Sequence, residues 1–274
     1  MDLKQSNKIL EQFARIVKQQ KAVRKVSSNE RLKVGIDLGT SSIVLAVLDQ
    51  DNLPLYGAFQ YADVVRDGIV VHYMESVQIV KKLKAQAEEA LGTELLYASG
   101  AIPPGTGVNA EKVVANVIND AGFIAQKIID EPTAAASFLA INQGSVIDIG
   151  GGTTGISNFK NGNAISTFDE ATGGYHMSLV LAGAKKISLT DAEILKRETK
   201  EEKEIFGILR PVVEKMASIA NRYVVAEKTD PVILVGGATN FEEFVPTFAK
   251  VMDRPVLRPL HPQFVTPLGI AMEN

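Results

Sequence analysis

The chain of 274 residues has no cysteine and no tryptophan, and only three histidines, His72, His176 and His261. Without cysteine there are no disulfides and no thiolate metal sites, which suits a reducing compartment. Scattered histidines with no HExxH pairing argue against a histidine-based zinc centre. No apolar run approaches the ~20 residues that a membrane-spanning helix needs, so no membrane span is expected. The N-terminus lacks an apolar core followed by a small-residue cleavage site, and a cytoplasmic protein is expected. A net charge of −3 gives no global reason to bind nucleic acid or an anionic membrane. With 46% hydrophobic residues, the chain can build one large domain or two lobes with real cores.

Residues 1–30 stand apart as an amphipathic N-terminal extension. Ile9, Phe13, Ile16, Val17 and Val23 recur at helical spacing, while Lys4, Lys8, Arg15, Lys18, Lys21, Arg24 and Lys25 occupy the other faces. Such a helix either packs on the body or docks in a partner's groove or shell. Its apolar face is thin for a membrane-surface helix. A polar spacer, SSNE, follows it.

From Lys33 onward the pattern is α/β. KVGIDL, IVLAVLD and LPLYGAFQY read as strands joined by tight turns. DGIVV leads into a helix from Met74 to Leu91, ended by Gly92. A strand, a helix over Val108–Ala121, the strand FIAQKIID and the helix PTAAASFLAI follow. A second strand run, VIDIG, TGISNFK and NAISTFD, precedes helices at 175–183, 189–199 and 203–226. PVILVGG reads as a buried strand before a helix over Asn240–Val251, and RPVLRPL as a short strand before a last helix from Thr266.

The most informative property is an internal repeat. GIDLGTSSIVLAVLDQDN (35–52) parallels VIDIGGGTTGISNFKNGN (146–163). Each copy is an apolar strand ending in Asp-x-Gly, a small-residue turn, a second apolar strand and a polar turn. Two similar lobes are expected, 31–143 plus 255–274 and 144–254, each offering one turn to a shared cleft.

Gly150, Gly152 and Gly155 also spell G-x-G-x-x-G, the dinucleotide fingerprint. That motif needs a helix after the glycines, because the pyrophosphate sits on the helix N-terminus. ISNFKNGN is strand and turn instead, so the match is coincidental. No GxxxxGK[ST] is present, which excludes a P-loop. A glycine turn still lets backbone amides approach an anion closely. Gly150, Gly151 and Gly152 with Thr153 and Thr154, and Gly39 with Thr40, Ser41 and Ser42, are candidate phosphate binders. Asp37 and Asp148 would repel phosphate, but they suit a hydrated Mg²⁺ placed between them and it. Glu131 ends a strand where a carboxylate reaches metal or water, and the turns at Gly173–Gly174 and Gly236, Gly237 and Asn240 suit a flat or anionic ligand.

In this order, DLGTSS (37–42), DEPTAAA (130–136), DIGGGTTG (148–155), LVGGATN (234–240) and TPLGIAM (266–272) resemble the actin-like ATPase superfamily of actin, sugar kinases and heat-shock chaperones. The resemblance implies a two-lobed, ribonuclease H-like duplicated fold with slim insertions. It also implies ATP or ADP with Mg²⁺ in the cleft, and Glu131 and Asp148 as catalytic groups. TDAEILK (190–196) is similar to the helix that touches the nucleoside through an acid and a lysine, here Glu193 and Lys196. YADVVRDGIVVHY, SGAIPPGT, DEATGGYHMSLVLAGAKKI and RPVVEKMASIANRY narrow the resemblance to the EutJ family, chaperone-like proteins of bacterial ethanolamine utilisation. That implies action on ethanolamine ammonia-lyase or on microcompartment shell or cargo proteins, with microcompartment association in the cytoplasm. The pattern departs at Gly155 and Ser178, where active relatives carry acids, and the chaperones' catalytic lysine has only Lys81 or Lys82 nearby, on a helix. The sequence ends at Asn274 with no residues for a peptide-binding domain, and the expectation is ATP binding rather than rapid hydrolysis. A scaffold or actin-like assembly protein with a degenerate site is the alternative, and a small-molecule kinase the second.

Overall fold

The computed structural model describes residues 2–27, 29–66, 69–198, 201–225, 227 and 230–273. Ser28 of the polar spacer, the Asp67–Gly68 pair, Thr199 and Ala226 lie outside them.

Two five-stranded sheets carry the fold. In the first, β1 (Lys33–Leu38), β2 (Ser42–Leu48) and β3 (Pro54–Tyr61) form an antiparallel meander. A short hairpin, β4 (Val65–Arg66) with β5 (Ile69–Val70), follows, then α2 (Tyr73–Leu91). β6 (Tyr97–Ile102) returns parallel to β1 after α2, and β7 (Ile124–Asp130) parallel to β6 after α3 (Gly107–Asp120). α4 (Glu131–Leu139) completes this half.

The second half repeats the plan. β8 (Gly144–Ile149), β9 (Thr154–Lys160) and β10 (Asn163–Glu170) form the meander. α5 (Gly174–Lys185), α6 (Leu189–Arg197) and α7 (Glu202–Asn221) lead to β11 (Val232–Val235), parallel to β8. α8 (Phe244–Met252) leads to β12 (Val256–Leu257), parallel to β11, and α9 (Val265–Met272) closes the chain. The strand orders, β3-β2-β1-β6-β7 and β10-β9-β8-β11-β12, are the same by position. The duplication thus extends beyond the two turns to whole lobes. We propose the lobe division expected from the sequence, except at β12, which that division placed in the first lobe with 255–274 but which pairs with β11 in the second sheet.

Three apolar layers follow from this plan. Ile36, Val80 and Leu83 belong to the layer under α2 and α3. Ile147, Phe206 and Phe248 belong to the layer under α5, α7 and α8. Between the sheets, α4 and α9 pack against each other and against residues of both, such as Val44 and Val235. The helices cross so closely that any side chain at Gly269 would collide with the backbone of Ala134. Gly35 does the same for α9 against β1, where a Cβ would strike Ala271 N and Pro267 O. Burying β1, β2, β8 and β11 on both faces explains their near-continuous apolar runs.

Local signals set most helix ends. Gly92 takes a φ of 78° and its N–H caps α2 at Glu88 O. Asp130 caps α4, its carboxylate accepting from Thr133 N–H at 2.9 Å, and Pro132 sits in the first turn. The helix expected from Asn240 differs. Residues 237–240 make only a 3₁₀ turn, Phe241 is extended, and α8 begins at Phe244. The Arg258 guanidinium binds the carbonyls of Thr239 and Phe241 and draws them out of a helical ladder.

The N-terminal extension forms α1 (Lys4–Gln19), packed on the body along β3. Leu10, Phe13 and Ile16 are buried. Phe13 meets Phe264 edge-on at 5.2 Å. Gly57 of β3 leaves room for Phe13 and Val17, since a Cβ there would lie 2.5 Å from the Phe13 ring. Leu10, which the helical reading overlooked, is central to the face, and Val23 lies beyond the helix and is exposed. Among the described residues no helix is long and apolar enough to cross a membrane.

Candidate nucleotide cleft

The two repeated turns carry the same backbone bond. Gly39 N–H donates to Ser42 O at 3.0 Å, and Gly150 N–H donates to Thr153 O at 3.0 Å. They face each other at van der Waals contact, because a Cβ on Gly151 would overlap Ser41 Oγ and lie 3.1 Å from Thr40 Cβ. This glycine is therefore required by the opposing turn, not by its own dihedral angles.

Both turns open on one cavity of about 650 Å³, shared with Asp37, Glu131 and Asp148. Thr40, Ser41, Ser42, Gly152 and Thr153 line it from the turns, and Glu193, Lys196, Gly236, Gly237 and Asn240 from the second lobe. Two sequence candidates do not reach it. Thr154 is fully buried and its hydroxyl donates to Thr172 O at 2.7 Å. Gly173 is packed against the carbonyls of Gly150 and Gly151. Gly174 borders the cavity, but its N–H is spent on Gly150 O at 2.9 Å and that of Tyr175 on Gly151 O at 2.7 Å. The start of α5 thus supports the second turn from behind and does not present free amides. Lys81 and Lys82 are exposed on α2, with Lys82 bonded to Gln60, and neither lines the cavity.

Three carboxylates sharing one cleft cannot all ionise cheaply. Burial, then the charge of Asp148, pushes Asp37 up to about 7. Burial pushes Asp148 up to about 6, opposed by the Thr266 hydroxyl, which donates to Asp148 Oδ2 at 2.6 Å. Glu131 is raised well above its ordinary value, by burial and then by Asp148, Asp37, Asp169 and Asp130. Among the described residues no three carboxylates or imidazoles come close enough to hold an ion directly. A cation there would be held through water and ligand oxygens, and the clustered carboxylates supply the negative charge that favours one.

On the second lobe, Lys196 Nζ donates to Gly174 O at 2.7 Å, Ser178 Oγ at 2.7 Å and Glu193 Oε2 at 2.6 Å. Burial would raise the Glu193 carboxyl, but Lys196, Ser178 and Arg197 bring it below its ordinary value. Burial lowers Lys196 against the pull of Glu193. Gly236 needs its φ of 90° and has no room for a side chain beside Asp148 and Ile149. Asn240 donates to Gly237 O at 3.0 Å and Gln263 Oε1 at 3.2 Å, fixing the loop. Sequence reasoning missed Tyr61, Arg197, Gln263 and Phe264, which also line the cavity, and the bond from Thr266. Gly155 lies against Pro132 and Pro104, with 3.1 Å and 3.3 Å to an added Cβ, so a side chain there would have to displace these neighbours.

Duplicated sheets, paired Asp-x-Gly turns and a cleft between them define an actin-like ATPase fold. Solved structures bear this out, including MreB 5 of Spiroplasma citri bound to AMPPNP, at 15% identity, TM-score 0.69 and coverage of 88% of this chain and 95% of that one. Residues 73–182 match the Hsp70 protein family. The ethanolamine utilization protein EutJ of Escherichia coli K12 is 40% identical over 243 residues, 88% of this chain and 85% of its own. The crystal structure of EutJ from Carboxydothermus hydrogenoformans superposes with a TM-score of 0.94 at 42% identity, covering 100% of both chains. The chain belongs to the EutJ family of ethanolamine utilisation proteins.

Proposed function

We propose that the protein is a nucleotide-dependent switch of ethanolamine utilisation, taking up ATP or ADP with Mg²⁺ between its lobes. One observation carries this reading: two identically bonded turns meet over three carboxylates at the floor of a single cleft. Hydroxyls of Thr40, Ser41, Ser42 and Thr153, with backbone amides, would hold the phosphates. Asp37 and Asp148 would hold the hydrated ion, which when bound neutralises charge on both carboxylates and phosphates. Glu193, Lys196, Gly236, Gly237 and Asn240 would receive the nucleoside. Glu131 would orient a water, but burial beside the other acids raises its pKa and favours the protonated form, which cannot accept a proton, while the cluster is uncompensated. Binding is therefore favoured over fast turnover. A terminal phosphate touching both turns would bias closed against open lobes, and the output would be affinity for ethanolamine ammonia-lyase or for microcompartment shell or cargo proteins. Isothermal calorimetry tests the reading. MgATP should bind, and no heat at millimolar ATP would sink it.

A further inference from the structure

Across the mouth of the cleft, the Arg197 guanidinium of α6 lies over the ring of Tyr61, at the end of β3, 3.8 Å from its centroid. One group belongs to the second lobe and the other to the first, and both line the cavity. We propose that this cation–π contact is a latch that holds the lobes together over the cleft and sets how fast its ligand exchanges. The exchange half of the proposal rests on the nucleotide reading above; the latch itself does not.

The arm of the latch is held rigid from the second lobe. Arg197 donates through Nε to Glu193 Oε1 at 3.0 Å and its Nη2 lies 2.9 Å from the same oxygen. Glu193 is in turn fixed by Lys196 and by Ser178, whose hydroxyl is buried between them. Lys196 also grips the Gly174 carbonyl, at the α5 turn that supports Gly150 and Gly151. A continuous set of bonds thus joins the second phosphate turn to the latch. With Glu193 holding its plane, the guanidinium presents a face rather than a flexible charge, which is what stacking on an aromatic ring requires. Tyr61 is 57% exposed, yet it packs edge-on against Phe59 at 4.7 Å, so the ring is backed by its own strand. The Ser178 hydroxyl completes the latch arm without adding a charge that would compete with Glu193 for Lys196.

The absence of cysteine makes the test direct. A Thr153→Cys substitution puts a single thiol on the buried second turn inside the cavity, and its modification rate by a small thiol reagent reads the fraction of open molecules. Tyr61→Ala and Arg197→Ala should each raise that rate about two- to fivefold, the worth of a cation–π contact at an exposed site. The two substitutions together should do no more than either alone, and Tyr61→Phe, which keeps the ring, should leave the rate unchanged. Unchanged rates in both alanine variants, or effects that simply add, would overturn the latch. In the chain with Thr153 restored, release of fluorescent ADP loaded with Mg²⁺ should quicken by a similar factor in Tyr61→Ala. If that ADP never binds, the nucleotide reading fails, while the thiol rates still decide the latch.

Discussion

The two Asp-x-Gly turns share one backbone bond, but their surroundings are unequal. The second is braced on every side: Gly174 and Tyr175 support it through Gly150 and Gly151, Thr266 bonds Asp148, and Gly236 packs against that carboxylate. The first carries three hydroxyl residues, and the Asp37 carboxylate accepts no side-chain hydrogen bond among the described residues. A duplicated unit has thus become an anchored jaw and a freer one. Preorganised groups lose less on binding, so the anchored jaw should dominate affinity.

The sharpest way to break this comparison is to remove each acid. Asp148→Ala should lower Mg-dependent nucleotide affinity about 100-fold and Asp37→Ala only about 10-fold, the span expected for charge-assisted contacts. Calorimetry with and without Mg²⁺ measures both, and equal losses would erase the distinction. A smaller effect should come from the brace itself. Thr266→Val removes the bond to Asp148 and should cost about 1.5–3 kcal/mol of stability, with Thr266→Ser recovering most of it. Chemical denaturation reads this, and a Ser variant as weak as Val would mean that packing, not the bond, mattered.

How much of this was legible in sequence follows the range of each interaction. β1, β2, β8 and β9, with their Asp-x-Gly turns, could be read because strand period and turn chemistry are local. Most of the candidates on those turns could be named from the sequence for the same reason, and Gly39, Thr40, Ser41, Ser42, Gly150, Gly151, Gly152 and Thr153 line the cavity. Thr154 and Gly173 were misplaced because strand register and the packing of α5 decide which way they face, and neither is written locally. Thr266 and Asp148 lie far apart in the chain, as do Arg197 and Tyr61, so no spacing announces either pair. The helical face of α1 was visible, but its seat was not: that depends on Gly57, which reads in sequence as an ordinary strand glycine.

The meeting point of the turns offers a third test. Gly151→Ala pushes a Cβ into Ser41, which must shift, at a cost of about 1–3 kcal/mol for overpacking. Ser41→Gly in the same chain should recover most of the loss. If the double variant is no more stable than Gly151→Ala alone, the turns do not constrain each other there.

A last comparison lies in the pH dependence of stability, and it separates the two acids without any ligand. Asp37 is raised from 3.8 to about 7 and Asp148 from 3.8 to about 6. In both cases the native state holds its proton at pH values where the unfolded chain has released it. Stability therefore falls as pH rises from near 4 toward 6 for Asp148 and toward 7 for Asp37, and the penalty is complete above those values. Asp37→Asn should flatten the melting-temperature profile up to about pH 7, and Asp148→Asn only up to about pH 6, less the bond it loses to Thr266. Mg²⁺ should lift the profile at high pH in the parent chain and less in either variant, because it favours the ionised pair. A profile that Asp37→Asn leaves unchanged between pH 6 and 7 would show that this acid ionises freely, and the two jaws would then differ in packing but not in charge.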